Sequence, residues 1–188
     1  MIEKVTSHLD SQLKLIKKIL PGLYQCQDPV VYHKLVELKA EQFGEMVIYH
    51  QIGVKGFNHS AQQQKLYVFN TDSTRSCNSS KTFVILPQHG LINLEQHNDQ
   101  VAALDPNDLF QFPASCDLMW TADERSIYAQ VSGEQCLYPS EAFGGNVRPE
   151  MCYEVNDRSF SLNESLYQES GELITSTNGT LVAERLRN

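Results

Sequence analysis

The stretch Met46-Val47-Ile48-Tyr49-His50-Gln51-Ile52-Gly53-Val54-Lys55 is dominated by β-branched, aliphatic and aromatic residues. Beyond turn-forming residues it is followed by Lys65-Leu66-Tyr67-Val68-Phe69-Asn70 and then Thr82-Phe83-Val84-Ile85-Leu86. Short runs of this composition read as strands, because branched and aromatic side chains pack well on a pleated surface. Gly56-Phe57-Asn58-His59, the segment 70–80 and Gln88-His89-Gly90 are the turns between and after them. The pattern continues to the end of the chain, predicting further strands over 91–96, 117–121, 127–131, 151–155, 159–162, 172–176 and 180–185. Ala122-Asp123-Glu124, Gly144-Gly145-Asn146, Asn156-Asp157 and Asn178-Gly179 separate them, the last two suiting tight hairpins. Only one segment breaks the series. Asp105-Pro106-Asn107-Asp108-Leu109 reads as an N-cap followed by proline at the first position of a short helix.

Ahead of the strands, Val5, Leu9, Leu13, Ile16 and Leu20 recur at three- and four-residue steps, with Lys14, Lys17 and Lys18 between them. This is an amphipathic helix over 1–20, stopped by Pro21-Gly22, and its stripe is read as packing on the domain. Residues 23–29 read as extended, and 30–38 fit a helix or a strand equally. One helix and about ten strands in meander order favour an antiparallel barrel or sandwich and exclude alternating helix–strand folds. A closed barrel of this size holds one small ligand at its mouth.

The chain has 188 residues, 15 Lys+Arg and 23 Asp+Glu, for a formal charge of −8. That length suits a single domain over 1–188, with the helix at 1–20 and the barrel at 44–188. An acidic chain without basic clusters excludes a nucleic-acid partner, since binding phosphates takes a basic face. No stretch approaches the ~18 apolar residues of a membrane span, so no membrane partner is expected. The N-terminus lacks the apolar core and small-residue cleavage site of a leader, so a cytoplasmic location with reduced thiols is expected.

Five cysteines without a CxxC pair, and six histidines without ligand spacing, predict no metal site. No GxSxG, HExxH, Walker or GxGxxG motif occurs. Each histidine alone reads as a surface or hydrogen-bonded residue. Cys116 and Cys136 bound a predicted hairpin. They read equally as two small buried thiols or, in an oxidising compartment, as a disulfide.

The order of Leu104-Asp105-Pro106-Asn107-Asp108-Leu109, Cys116-Asp117-Leu118-Met119-Trp120 and Gly133-Glu134-Gln135-Cys136 resembles the T-type phycobiliprotein lyases, the CpcT/CpeT family. The Gly22-Leu23-Tyr24 entry with Gln25 and Gln27, and the run Val47-Ile48-Tyr49-His50-Gln51, are similar too. The resemblance implies a mainly β fold: a lipocalin-like (calycin) antiparallel β-barrel of about ten strands with an N-terminal helix and a short helical insert. It also implies a chromophore lyase or chaperone that binds an open-chain tetrapyrrole (a phycocyanobilin-like bilin, carried in transit) and attaches it to a cysteine of a phycobiliprotein-like acceptor. A homodimer is implied as well. On this reading Lys65 meets a propionate, with Gln63 beside it. Tyr49, Gln51, Tyr67 and Trp120 line the slot, and Asp117 or Glu134 supplies a proton. The family's Tyr-Arg-x-Arg pattern is replaced by Gln62-Gln63-Gln64-Lys65, and its C-terminal Trp-Gly-Ser pattern is absent. A non-catalytic small-ligand binder on the same barrel is the alternative, and an interaction module using the outer face is a third.

Overall fold

The computed structural model describes residues 2–26, 31–54, 63–70, 77–86, 97–131, 135–140, 143–177 and 180–186. Helix α1 (Ile2–Ile19) buries Leu9, Ile16, Ile19 and Leu20, while Ser11, Lys14 and Lys18 stay in water. The Tyr24 hydroxyl donates towards the carbonyls of Ile19 (3.1 Å) and Leu20 (3.3 Å), satisfying last-turn acceptors that no helical N–H reaches. Pro21 ends the helix, and its carbonyl accepts from the Arg185 guanidinium.

Among the described residues thirteen strands follow: β1 (Gly22–Gln25), β2 (Val31–Leu38), β3 (Val47–Val54), β4 (Gln63–Asn70), β5 (Asn78–Val84), β6 (Phe110–Gln111), β7 (Leu118–Ala122), β8 (Ser126–Val131), β9 (Tyr138–Ser140), β10 (Gly145–Asn156), β11 (Ser159–Gln168), β12 (Leu173–Ser176) and β13 (Leu181–Arg185). Ten of them close an antiparallel barrel in the order β11-β13-β1-β2-β3-β4-β5-β7-β8-β10, with β10 pairing back to β11. β6, β9 and β12 add to strands β5, β10 and β11 outside that ring. The expected mainly β, lipocalin-like barrel with an N-terminal helix is the fold.

The barrel starts at Gly22, earlier than the expected 44, because Gly22–Gln25 and Val31–Leu38 form strands. In β2, His33 and Leu35 alternate inward against β3, with Leu35 opposite His50. β5 starts at Asn78, inside the expected 70–80 turn, since its polar side chains find partners. Trp120 Nε1 donates to Ser80 Oγ (2.8 Å), and Asn78 Nδ2 donates to the Leu9 carbonyl (3.2 Å). β10 and β11 outrun their expected spans and form one long hairpin. Its turn is fixed by Asn156 Oδ1, which accepts from the N–H groups of Arg158 and Ser159. The short helix expected at 105–109 is a 3-10 turn over Pro106–Asp108, with Asp105 capping Asn107 N at 2.9 Å. A helix not anticipated, α2 (His97–Ala102), precedes it. The expected strand 91–96 and the turns 56–59, 88–90 and 178–179 lie outside the described residues.

Two apolar clusters form. One fills the barrel between α1 and the inner faces of the strands, and contains Ile48, Phe69, Trp120, Val155 and Phe160. The other lies on the outer faces of β3, β4 and β5, where Val47, Tyr49, Leu66, Val68 and Phe83 meet Leu38, Val101 and Leu109. Both faces of β3 and β4 are therefore buried, which explains why their sequences read as apolar runs without a solvent-facing polar row. Among the described residues no helix is long and apolar enough to cross a membrane.

Candidate functional site

Strand alternation decides which side chains enter the barrel. On β4, Lys65, Tyr67 and Phe69 share the inner face, and on β3 the inner residues are Ile48 and His50. On β10, Met151, Tyr153 and Val155 pack into the inner cluster. Met151 stands opposite Glu164 of β11, which puts Glu164 on the same side of the sheet. The half of the barrel against α1 is mainly apolar, with Asn78 bonded to the Leu9 carbonyl there. The other half gathers His33, His50, Lys65, Tyr67, Tyr153 and Glu164.

These side chains form a connected polar chain. His33 Nδ1 lies 3.1 Å from His50 Nε2, and His50 Nδ1 lies 2.9 Å from the Tyr67 hydroxyl. The Tyr67 and Tyr153 hydroxyls are 3.5 Å apart, and Tyr153 donates onward to Met151 Sδ. Phe160 stacks on the His33 ring at 4.8 Å between centroids. Burial, with the Lys65 charge adding to it, lowers His33 to about 4. Burial also lowers His50 well below the ordinary histidine value, helped by His33 and Lys65. Burial likewise pushes both tyrosine hydroxyls up. At neutral pH the chain thus consists of neutral imidazoles and protonated phenols joined from His33 to Met151 by one hydrogen bond per link.

Lys65 is the cation of this end. Burial lowers its amine below the ordinary lysine value, and the Glu164 carboxylate opposes that shift. Part of the residue remains accessible. Beside it a residual cavity of about 10 Å³, room for roughly one water, is lined by Thr82, Phe112, Leu118, Val131, Met151 and Tyr153, among others. Larger hollows lie outside the barrel. Grooves of about 530 and 340 Å³ run over the outer faces of β8, β10 and β11 and share Gln130, Cys152 and Asn163.

The residues named from the sequence do not share one place. Lys65, Tyr67 and Trp120 are together inside the barrel, with the Tyr67 and Trp120 rings 6.0 Å apart. Gln63 is exposed at the start of β4, two residues before Lys65 on the same face. Tyr49 and Gln51 lie on the outer face of β3, away from that interior. The Tyr49 hydroxyl approaches Gln64 Oε1 at 2.9 Å and Gln51 Oε1 at 3.4 Å beneath the second cluster. Asp117 is buried in the turn before β7, yet its neighbours Cys116 and Leu118 line the Lys65 cavity and it does not. Glu134 lies outside the described residues.

Cys116 and Cys136 are joined as a disulfide at the wall of that cavity, which resolves the open choice between thiols and bond. Such a bond persists in an oxidising setting, unlike the reduced thiols expected for a cytoplasmic chain. His33, His50, Tyr153 and Glu164 were not singled out by sequence. The available signal was positional: His50 alternates with Tyr49 in a strand whose Ile48 and Ile52 share its face. Among the described residues no group of three or more His, Cys, Asp or Glu side chains is placed to hold a metal ion. No family model matches the chain, and no curated protein matches it.

Proposed function

We propose that this chain is a ligand-binding barrel that takes an open-chain tetrapyrrole at its Lys65 end and presents it to a cysteine of an acceptor protein. The observation behind the proposal is one inward-facing cation, Lys65, with Glu164 and the Tyr67–Tyr153 pair around it, at the end of a barrel whose other half is packed by α1. In this reading Lys65 meets a propionate and Glu164 accepts from pyrrole N–H groups. Glu164, a carboxylate on the inner face among the described residues, stands in this reading as the bilin's anionic partner in place of the proton donor expected at Asp117 or Glu134. The acceptor's thiol then adds across the exocyclic double bond, its sulfur bonding to carbon and its proton ending on the bilin.

The test is a visible-absorption titration with phycocyanobilin, with biliverdin alongside and Lys65→Ala as the control. A saturable, red-shifted band weakened by Lys65→Ala supports the reading, and an acid-stable bilin on an added acceptor subunit adds the transfer step. No spectral change with either bilin rejects it.

A second reading, a non-catalytic binder of a compact ligand, is favoured by the small size of the residual cavity and by the amides at Gln63 and Gln64. Gln63, two residues before Lys65 on the same face, is an amide where the family's pattern has an arginine, and Gln64 turns to Tyr49 on the outer face. Under this reading a bilin leaves the spectrum unchanged while a smaller carboxylic acid protects Lys65 from acylation.

A further inference from the structure

We propose that Lys65 is a carbonyl-capturing amine, which condenses reversibly with an aldehyde at the mouth of the barrel to give an imine whose charge is balanced by Glu164. This inference is independent of the tetrapyrrole reading, which uses the same residue as an ammonium.

The geometry has three parts. Lys65 stands on the inner face of β4, with His50 opposite it on β3 and Val84 opposite it on β5. Its cavity is walled mainly by apolar side chains, Phe112, Leu118, Val131 and Met151, with the Tyr67 and Tyr153 hydroxyls and the Thr82 side chain as the polar groups. Glu164 is on the inner face of β11, opposite Met151, which lines the cavity, and its charge acts on Lys65.

Such surroundings favour a neutral amine, and a neutral amine is the form that attacks a carbonyl carbon. The titratable groups facing it do not restore the charge fully. His33 and His50 are neutral at pH 7, Tyr67 and Tyr153 are protonated, and Glu164 alone opposes the shift.

The chemistry balances without a further reagent. The amine nitrogen bonds to the carbonyl carbon, and the carbonyl oxygen departs as water carrying both amine protons. The resulting imine takes a proton from solvent, and the iminium stands opposite the Glu164 carboxylate. The cavity has space for about one water, which fits the carbonyl oxygen during addition. The tail of the aldehyde then lies outward, where Lys65 is accessible.

The experiment treats the whole protein with benzaldehyde near pH 7 and traps imines with cyanoborohydride, which leaves the disulfide intact. Benzylated lysines are then mapped by peptide mass spectrometry. A lowered amine pKa leaves a larger neutral fraction at a fixed lower pH. The expected result is benzylation of Lys65 in clear excess over that of the exposed Lys14 and Lys18. Lys65→Arg removes the primary amine and abolishes this adduct. Equal labelling of all lysines, or none at Lys65, overturns the proposal, and this readout on the parent chain needs no variant to fold. Failure of the bilin titration with selective labelling intact rejects the tetrapyrrole reading alone.

Discussion

His33 Nδ1 and His50 Nε2 face each other at 3.1 Å inside the barrel, with their residues 2% and 1% exposed. Neither ring is able to take up a proton without placing a charge beside its neighbour and near Lys65. The unfolded chain binds protons on these rings below its ordinary histidine value of 6.5, whereas folded His33 does so only near 4. Between those values the unfolded state binds more protons, so stability is full above about pH 6.5 and falls as pH drops towards 4. The loss from His33 alone is on the order of 3 kcal/mol. Urea unfolding from pH 7.5 to 4.5 checks this, and His33→Gln should flatten the slope. A parent chain with constant stability across that window would refute the assignment.

Trp120 is 1% exposed, donates to Ser80, and packs on Phe69 at 5.2 Å and Tyr67 at 6.0 Å. Trp120→Ala is expected to cost about 3–5 kcal/mol, from lost burial and the cavity left behind. Trp120→Phe should cost less, leaving only the Ser80 hydroxyl short of a partner. As the single tryptophan of the chain, Trp120 also reports on the Lys65 end, since Tyr67 joins the two. Saturable quenching of its emission by a bound bilin is the expected signature, and an emission unaltered by bilin would argue against a site in contact with the inner cluster.

The disulfide between Cys116 and Cys136 spans a sequence separation of 20 residues. Closing a loop of that length removes unfolded-state freedom worth about 3 kcal/mol in the chain-entropy account. Reduction with dithiothreitol, or Cys136→Ser, should therefore lower the unfolding midpoint. Free thiols counted on the freshly purified denatured chain test the bond itself. Three are expected from Cys26, Cys77 and Cys152, and five would mean that the bond is absent.

Gly53 stands opposite Tyr32 on neighbouring strands, and the Tyr32 ring lies over it. A Cβ at Gly53 would come within 2.3 Å of the ring's outer atoms. Gly53→Ala forces Tyr32 to swing aside and is expected to cost about 1 kcal/mol or more. Pairing it with Tyr32→Ala should remove most of that cost in a double-mutant cycle. Additive single effects would show that the ring is not the obstacle.

Much of the barrel was legible because its strands carry their own punctuation. Asn156-Asp157 and Asp123-Glu124 close hairpins through side-chain oxygens that accept backbone N–H groups, a local code. The helix was legible from the spacing of Leu9, Leu13, Ile16 and Leu20. Residues 30–38 were ambiguous because only pairing with β3 chooses extended backbone over helix there. The polar interior was less legible for a similar reason. Facing direction in a strand depends on register, and Tyr49 and His50 exchange faces with a one-residue slip. Glu164 was hidden for a further reason, since β11 continues past 162 only by pairing with the far end of β10.

The covering of β3 and β4 on both sides has a kinetic corollary. Amides in the Val47–Val68 and Tyr49–Leu66 region are shielded from solvent by one apolar layer inside and another outside, so local fraying cannot expose them. Their deuterium exchange should proceed only through global opening, which makes this hairpin the slowest-exchanging part of the molecule and the place where its full unfolding free energy is read directly.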